Sequence, residues 1–194
     1  TGNANTLAPP PPTVTHNGTA TPAANIQEGS INNVLYQIQI IVANAPVTLN
    51  ALSLTTGGNW TTADITNFKL RYSTDSNLDM ADPVLATVTT GLTGGSQSIT
   101  IGSLSRQFLV GTSYLFITCD VKLGAVIGNT VSARANVDAN FSYSPGTVVF
   151  SDSNFPAANL MTIVGRAIIH FIEFFKLIDV HRIEVCHITN DGPV

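Results

Sequence analysis

Four groups of residues in this chain carry side chains suited to chemistry. The loop Asp75-Ser76-Asn77-Leu78-Asp79-Met80-Ala81-Asp82 places Asp75, Asn77, Asp79 and Asp82 within eight positions. Calcium takes six to eight oxygen ligands, and acids and amides at alternating loop positions can converge on one such ion. Leu78 and Met80 intervene and the glycine turn of an EF-hand is missing, so the same loop also reads as a solvated hairpin tip. Trp60, the sole tryptophan, stands between Asn59 and Thr61 after Gly57-Gly58. In that setting an exposed indole stacks on a sugar ring while the neighbouring amide and hydroxyl bond its edges; the competing role is to cover the core. His181, Cys186 and His187 offer three borderline ligands for zinc without a fourth. Cys119 and Cys186 match no CxxC pattern. In an oxidising compartment they could form a disulfide closing a long loop; otherwise they are buried thiols.

Catalysis finds little support. No G-x-S-x-G nucleophile elbow is present, and three of the four histidines lie in the last 30 residues in an apolar context. Paired-carboxylate glycoside chemistry needs two acids across a cleft, and there are only three glutamates, Glu28, Glu173 and Glu184. Gly91-Leu92-Thr93-Gly94-Gly95 follows no dinucleotide or phosphate-loop pattern and reads as a hairpin tip. The expectation is a protein that is not an enzyme and needs no cofactor, calcium aside. Charge narrows the partners: eight basic against 12 acidic residues give −4, and 10% of positions are charged against roughly 25% in an average domain. So neutral a surface lacks the basic stripe that tracks nucleic-acid phosphates. No uncharged apolar run reaches the roughly 18–20 residues of a membrane span. The chain starts at Thr1 and has three lysines and many Thr, Asn and Ser, which suits a secreted or cell-surface setting. Sequons at Asn17, Asn59 and Asn140 matter only where the host glycosylates.

The elements that must position these groups are short strands. Val34, Tyr36, Ile38, Ile40 and Val42 alternate with Leu35, Gln37, Gln39 and Ile41, a period of two over a long strand. Val47 and Leu49 change phase before Leu52 and Leu54, which predicts a bulge or a strand switching sheets. Phe68, Leu70 and Tyr72 share one face of a half-buried strand, with Lys69 and Arg71 on the other. Further strands are expected at 84–89, 97–104, 113–121, 130–137, 147–150 and 160–164, with turns at Gly57-Gly58, Gly94-Gly95, Gly111 and Ser144-Pro145-Gly146. Asp64 should accept backbone N–H bonds in a turn, Asp120 should cap the loop leading to Gly128, and Gly128-Asn129 should reverse the chain. With no helical period between them, these strands predict an all-β fold, an antiparallel β-sandwich of immunoglobulin-like or jelly-roll-like kind.

Two extensions flank it. Residues 1–26 hold Pro9, Pro10, Pro11 and Pro12, which impose an extended polyproline conformation. They predict a linker, or an arm docking on another subunit. In 165–194, Ile168, Phe171, Ile172 and Phe175 form an apolar face that a helix or a strand could present. That face must pack on its own domain or on a neighbour's groove or edge.

The central block, about 27–164, resembles the β-sandwich domain found at the N-terminus of BNR-repeat neuraminidases and repeated in secreted and surface bacterial proteins. The resemblance is carried by Asn50-Ala51-Leu52-Ser53-Leu54-Thr55-Thr56-Gly57-Gly58, by Thr61 to Ser73, and by Gly111-Thr112-Ser113-Tyr114-Leu115-Phe116-Ile117 followed by Asp120-Val121, Ala125 and Gly128-Asn129-Thr130-Val131. It implies a non-catalytic accessory sandwich associated with glycan-active or adhesive proteins. Two functions are then expected. The first is an extracellular structural or adhesive subunit that assembles with copies of itself, as a filament or surface layer, through its extensions. The second is a carbohydrate-binding module that holds surface glycans.

Overall fold

A computed structural model of the protein describes residues 8–166. Its thirteen strands are β1 (Thr13–Ala20), β2 (Asn25–Gln27), β3 (Asn33–Ala43), β4 (Val47–Gly58), β5 (Ile65–Ser73), β6 (Val84–Val88), β7 (Ser98–Ile101), β8 (Arg106–Phe108), β9 (Gly111–Val121), β10 (Thr130–Arg134), β11 (Phe141–Ser144), β12 (Val149–Phe150) and β13 (Met161–Val164). A single 3-10 turn, Asp138–Asn140, precedes β11. One sheet runs β12-β1-β3-β9-β5-β6, and the second runs β11-β4-β10-β13-β2. β4 is the hub of the second sheet: it pairs with β8 at Val47–Leu49, β11 at Thr48–Leu52, β7 at Leu52–Thr55 and β10 at Thr55–Gly58. Both sheets contribute to one buried core, with Tyr36, Ile38, Phe68, Leu70 and Ile117 from the first and Leu49, Leu54, Val131 and Ile163 from the second.

The all-β expectation holds, and alternation explains the strands it located. Tyr36, Ile38, Ile40 and Val42 are buried as expected. Leu35 is buried too, because the β3–β9 register shifts between Val34 and Tyr36. The phase change in β4 is a bulge: the β4–β11 register shifts opposite Ser142 and Tyr143, so both Leu49 and Leu52 face the core.

Two expectations need correction. The sheets are mixed, because β1 pairs with β12 and β2 pairs with β13 in parallel. A parallel pair needs a long connection, and well over 100 residues separate each of these partners. Residues 13–26 are also not a free-standing arm, since β1 lies between β12 and β3, with Val14 and His16 fully buried. Pro9, Pro10 and Pro11 are exposed, but Pro12 is buried. The Pro12 carbonyl accepts from the Val149 N–H at 2.9 Å, and the Pro11 carbonyl accepts from Asn44 Nδ2 at 3.0 Å. Gly18 has a specific reason to lack a side chain. The Tyr36 hydroxyl lies directly over its Cα, where a Cβ would collide with it, and reaches the Pro156 carbonyl at 2.8 Å.

The long central strand β9 defines an axis. Its 11 residues span about 35 Å. The chain comes in at the Gly111 end, because Thr13 pairs with Ala43 and Val42 pairs with Gly111. It leaves at the Val121 end, where the Val164 carbonyl accepts from Glu28, Gly29 donates to the Lys122 carbonyl, and Gly165 sits beside Ile127. Met80, Leu109 and Val110 are exposed at the first end; Ile31, Leu123, Val126 and Ile127 are exposed at the second. Each of these seven is more than half exposed.

Candidate functional site

Most of the residues expected to do chemistry are committed to the fold. Trp60 is 1% exposed, with its ring edge-on to Phe68 at 5.2 Å, and offers no face to a sugar. The Gly94-Gly95 turn closes over it, the Gly95 N–H donating to the Trp60 carbonyl at 2.8 Å. Asn59 and Thr61 are exposed but engaged. Asn59 Oδ1 accepts from the Thr130 N–H at 2.6 Å and its hydroxyl at 3.0 Å, and the Thr61 hydroxyl donates to Asp64 at 2.9 Å. The sugar platform expected at Asn59-Trp60-Thr61 is therefore not formed, because the indole fills the core.

The acidic loop is organised around a cation already in the chain. Arg71 Nη2 donates to the carbonyls of Asp79, Met80 and Asp82 at 2.9, 3.3 and 2.7 Å, where a calcium ion would draw backbone oxygens. Asp75 accepts from the Asn77 N–H and Asp82 from the Asp79 N–H, each at 2.8 Å, as ordinary turn caps. No group of three His, Cys, Asp or Glu suited to a metal occurs among the described residues. Asp75 and Asp82 thus cap turns by accepting from the Asn77 and Asp79 N–H groups, in a loop that Arg71 draws together, which is also why Arg71 is buried rather than outward-facing.

Asp64 behaves as expected and Asp120 does not. Asp64 collects four donors at the Val121 end. Asp120 accepts from Lys69 Nζ at 2.6 Å, Asn67 Nδ2 at 2.9 Å and the Asn32 N–H at 2.8 Å, so it ties β5, β9 and the β2–β3 turn rather than the loop to Gly128. Burial opposes ionisation of Asp120, and these donors outweigh it and hold its pKa below the ordinary value. Cys119 is sealed in the core, and burial, with Asp120 beside it, pushes its thiol up. Cys186, the zinc candidates His181 and His187, and the apolar residues Ile168, Phe171, Ile172 and Phe175 lie outside the described residues.

The polar cluster that sequence reading missed is built on His16. His16 Nδ1 is 2.6 Å from Asp138 Oδ1, and Nε2 is 2.9 Å from the Tyr143 hydroxyl. A carboxylate only accepts, so Nδ1–H donates to Asp138; Nε2 of the neutral ring then accepts from Tyr143. The ring stacks on Phe141 at 3.9 Å. His16 is fully buried, and the Tyr143 hydroxyl is pushed up by burial with Asp138 adding to it. This Asp-His-Tyr chain fastens β1 to the turn before β11 and to β11 itself. Desolvation lowers the His16 pKa, with Asp138 pulling the other way. An unfolded histidine titrates near 6.5, so just below that pH the unfolded chain binds more protons than the folded one. Stability should therefore be full above pH 6.5 and decline as pH falls below it. Thermal melts between pH 7.5 and 5 should show the decline, and His16→Gln should flatten it whatever its cost at neutral pH. An equally steep decline in the variant would assign it to other groups.

A cleft of about 580 Å3 at the Gly111 end is lined by Tyr72, Thr74, Ser105, Arg106, Gln107 and the 109–113 segment. The Arg106 guanidinium lies 3.5 Å from the centre of the Tyr72 ring, which is itself edge-on to Phe108. Neither ion pair among the described residues involves Arg106, and its Nε is buried with no hydrogen-bond partner. β8 is too short, and its burial too uneven, for hydrophobic alternation to reveal it.

A scan of the chain against protein-family models gives no match, and a search of curated proteins gives none either. No helix among the described residues is long and apolar enough to cross a membrane.

Proposed function

We propose that the protein is an extracellular structural or adhesive unit whose copies associate end to end, building a filament or surface layer. The carrying observation is that the chain comes in and leaves at opposite ends of the β9 axis, and that each end exposes large apolar side chains. Leu109 and Val110 at one end and Leu123, Val126 and Ile127 at the other are different surfaces, so their contact is heterologous and repeats without closing. The 165–194 extension, with Ile168, Phe171, Ile172 and Phe175, follows in sequence from the strand that reaches the second of these ends. Of the first extension, β1 is committed to the fold, and Pro9, Pro10 and Pro11 are exposed at the first end. On this reading the fold is the immunoglobulin-like or jelly-roll-like sandwich that the resemblance implies, a kind of module repeated along surface proteins.

Light scattering of the full chain over a concentration series tests the reading. Association should weaken about tenfold or more in the double variant Leu123→Asp, Ile127→Asp, whose sites are too exposed to disturb the core. A chain that stays monomeric at millimolar concentration, or a variant that associates as the parent does, rules it out. Negative-stain microscopy of associated material should show linear particles.

A further inference from the structure

The cleft beside Arg106 supports a second role that does not rest on end-to-end association. We propose that it binds a uronate, a sugar unit bearing a carboxylate, within an acidic polysaccharide. Arg106 supplies the charge: a planar guanidinium held over the Tyr72 ring, with no carboxylate partner among the described residues and no acidic residue in the cleft lining. In a chain of net charge −4, such an uncompensated cation marks a local anion site. A guanidinium fork matches the two oxygens of a carboxylate, and stacking on tyrosine fixes its plane before the ligand arrives. The lining contains no lysine, so a single carboxylate fits better than a more highly charged sulfate or phosphate ester.

The rest of the lining fits a polyol. Thr74, Ser105, Gln107, Thr112 and Ser113 present short groups that both donate and accept, as sugar hydroxyls do, and Leu109 and Val110 offer an apolar patch for the C–H face of a ring. At about 580 Å3 the cleft falls within the range of pockets that hold small ligands. Tyr72 is not itself the stacking platform, because Arg106 covers its face.

Isothermal titration of the full chain with tetramers of galacturonate, glucuronate and guluronate tests this. Two controls are the methyl-esterified galacturonate tetramer, which keeps the sugar frame without charge, and sodium acetate, which keeps the charge without the frame. At least one uronate tetramer should bind, more weakly at high salt, with the ester and acetate each at least about tenfold weaker. Arg106→Gln should lose that affinity. So should Ser105→Glu, which puts a competing carboxylate at an exposed position next to Arg106 without touching the core. Absence of binding by all three tetramers overturns the proposal, as does an ester or acetate that binds equally well, or unchanged binding in both variants. Leu109 and Val110 also belong to the end proposed to associate, so a neighbouring copy and uronate compete for it; Leu123→Asp, Ile127→Asp, at the other end, should bind uronate at least as tightly as the parent, which separates this outcome from the fate of the association reading.

Discussion

Asp64→Ala should destabilise the protein by about 3–5 kcal/mol. Its carboxylate is fully buried and accepts from the Val126 N–H at 2.8 Å through Oδ1. Through Oδ2 it accepts from the Thr61 N–H at 2.7 Å, the Thr61 hydroxyl at 2.9 Å and Asn129 Nδ2 at 2.8 Å. Truncation leaves at least two backbone N–H groups facing a cavity, and a buried donor without a partner costs the desolvation of that donor. Asparagine should be nearly as damaging, because all four neighbours donate and its NH2 would meet at least one of them. Burial disfavours the charge, but the bonds from Val126, Asn129 and Thr61 together outweigh it and hold the Asp64 pKa below the ordinary carboxylate range. The sign follows: this contribution is complete above the ordinary carboxylate pKa and is lost as pH falls through the lower folded value. Urea unfolding at pH 7 measures the cost, and a loss below about 1 kcal/mol would mean that water replaces the carboxylate. Asp64 also anchors the 122–129 loop that exposes Leu123, Val126 and Ile127, so its loss should weaken end-to-end association as well.

Trp60→Ala should cost a similar amount, about 3–5 kcal/mol, because it empties the largest fully buried side-chain volume in the core. In a chain of this length that corresponds to a fall in Tm of about 6–20 °C. Trp60→Phe should cost about 1 kcal/mol or less. The indole Nε1–H is buried without a partner, so phenylalanine removes an unsatisfied donor along with part of the volume. Calorimetry of the two variants separates these effects. A Trp60→Ala protein with unchanged Tm would place the indole outside the core, and a Trp60→Phe protein as unstable as Trp60→Ala would mean that the Nε1–H is satisfied.

The contrast between Trp60 and Arg106 shows how far side-chain type and spacing carry a functional reading. A lone tryptophan among Asn and Thr has the composition of a sugar platform, yet alternation does not say whether a residue just past a strand end turns inward; the Gly94-Gly95 turn, more than 30 residues away, closes over it. Arg106 has no local pattern at all. Its stacking on Tyr72 exists only because β8 folds beside the end of β5. The acidic loop makes a related point: Arg71 lies on β5, outside the loop, and local sequence cannot show that it reaches back to three carbonyls. β1 was missed because its inward positions are Val14, His16 and Gly18 rather than three large apolar residues. The Asp138 and Tyr143 partners that let a histidine be buried there are more than 100 residues away.

Period-two patterning determined from the chain alone that the protein is all-β and where its longer strands lie, because alternation across a pleated strand is a local property. Turn chemistry likewise located the bonds from Thr61 to Asp64 and the Gly128-Asn129 reversal, which depend on near neighbours, whereas the Val126 and Asn129 donors to Asp64 come from more than 60 residues away. Tertiary structure alone decided the parallel pairing of the first strands with the last, the burial of His16 and Trp60, the stacking of Arg106 on Tyr72 and the placement of Thr13 and Val164 toward opposite ends of β9. Each of these is set by contacts between residues far apart in sequence, whose partners no local pattern specifies.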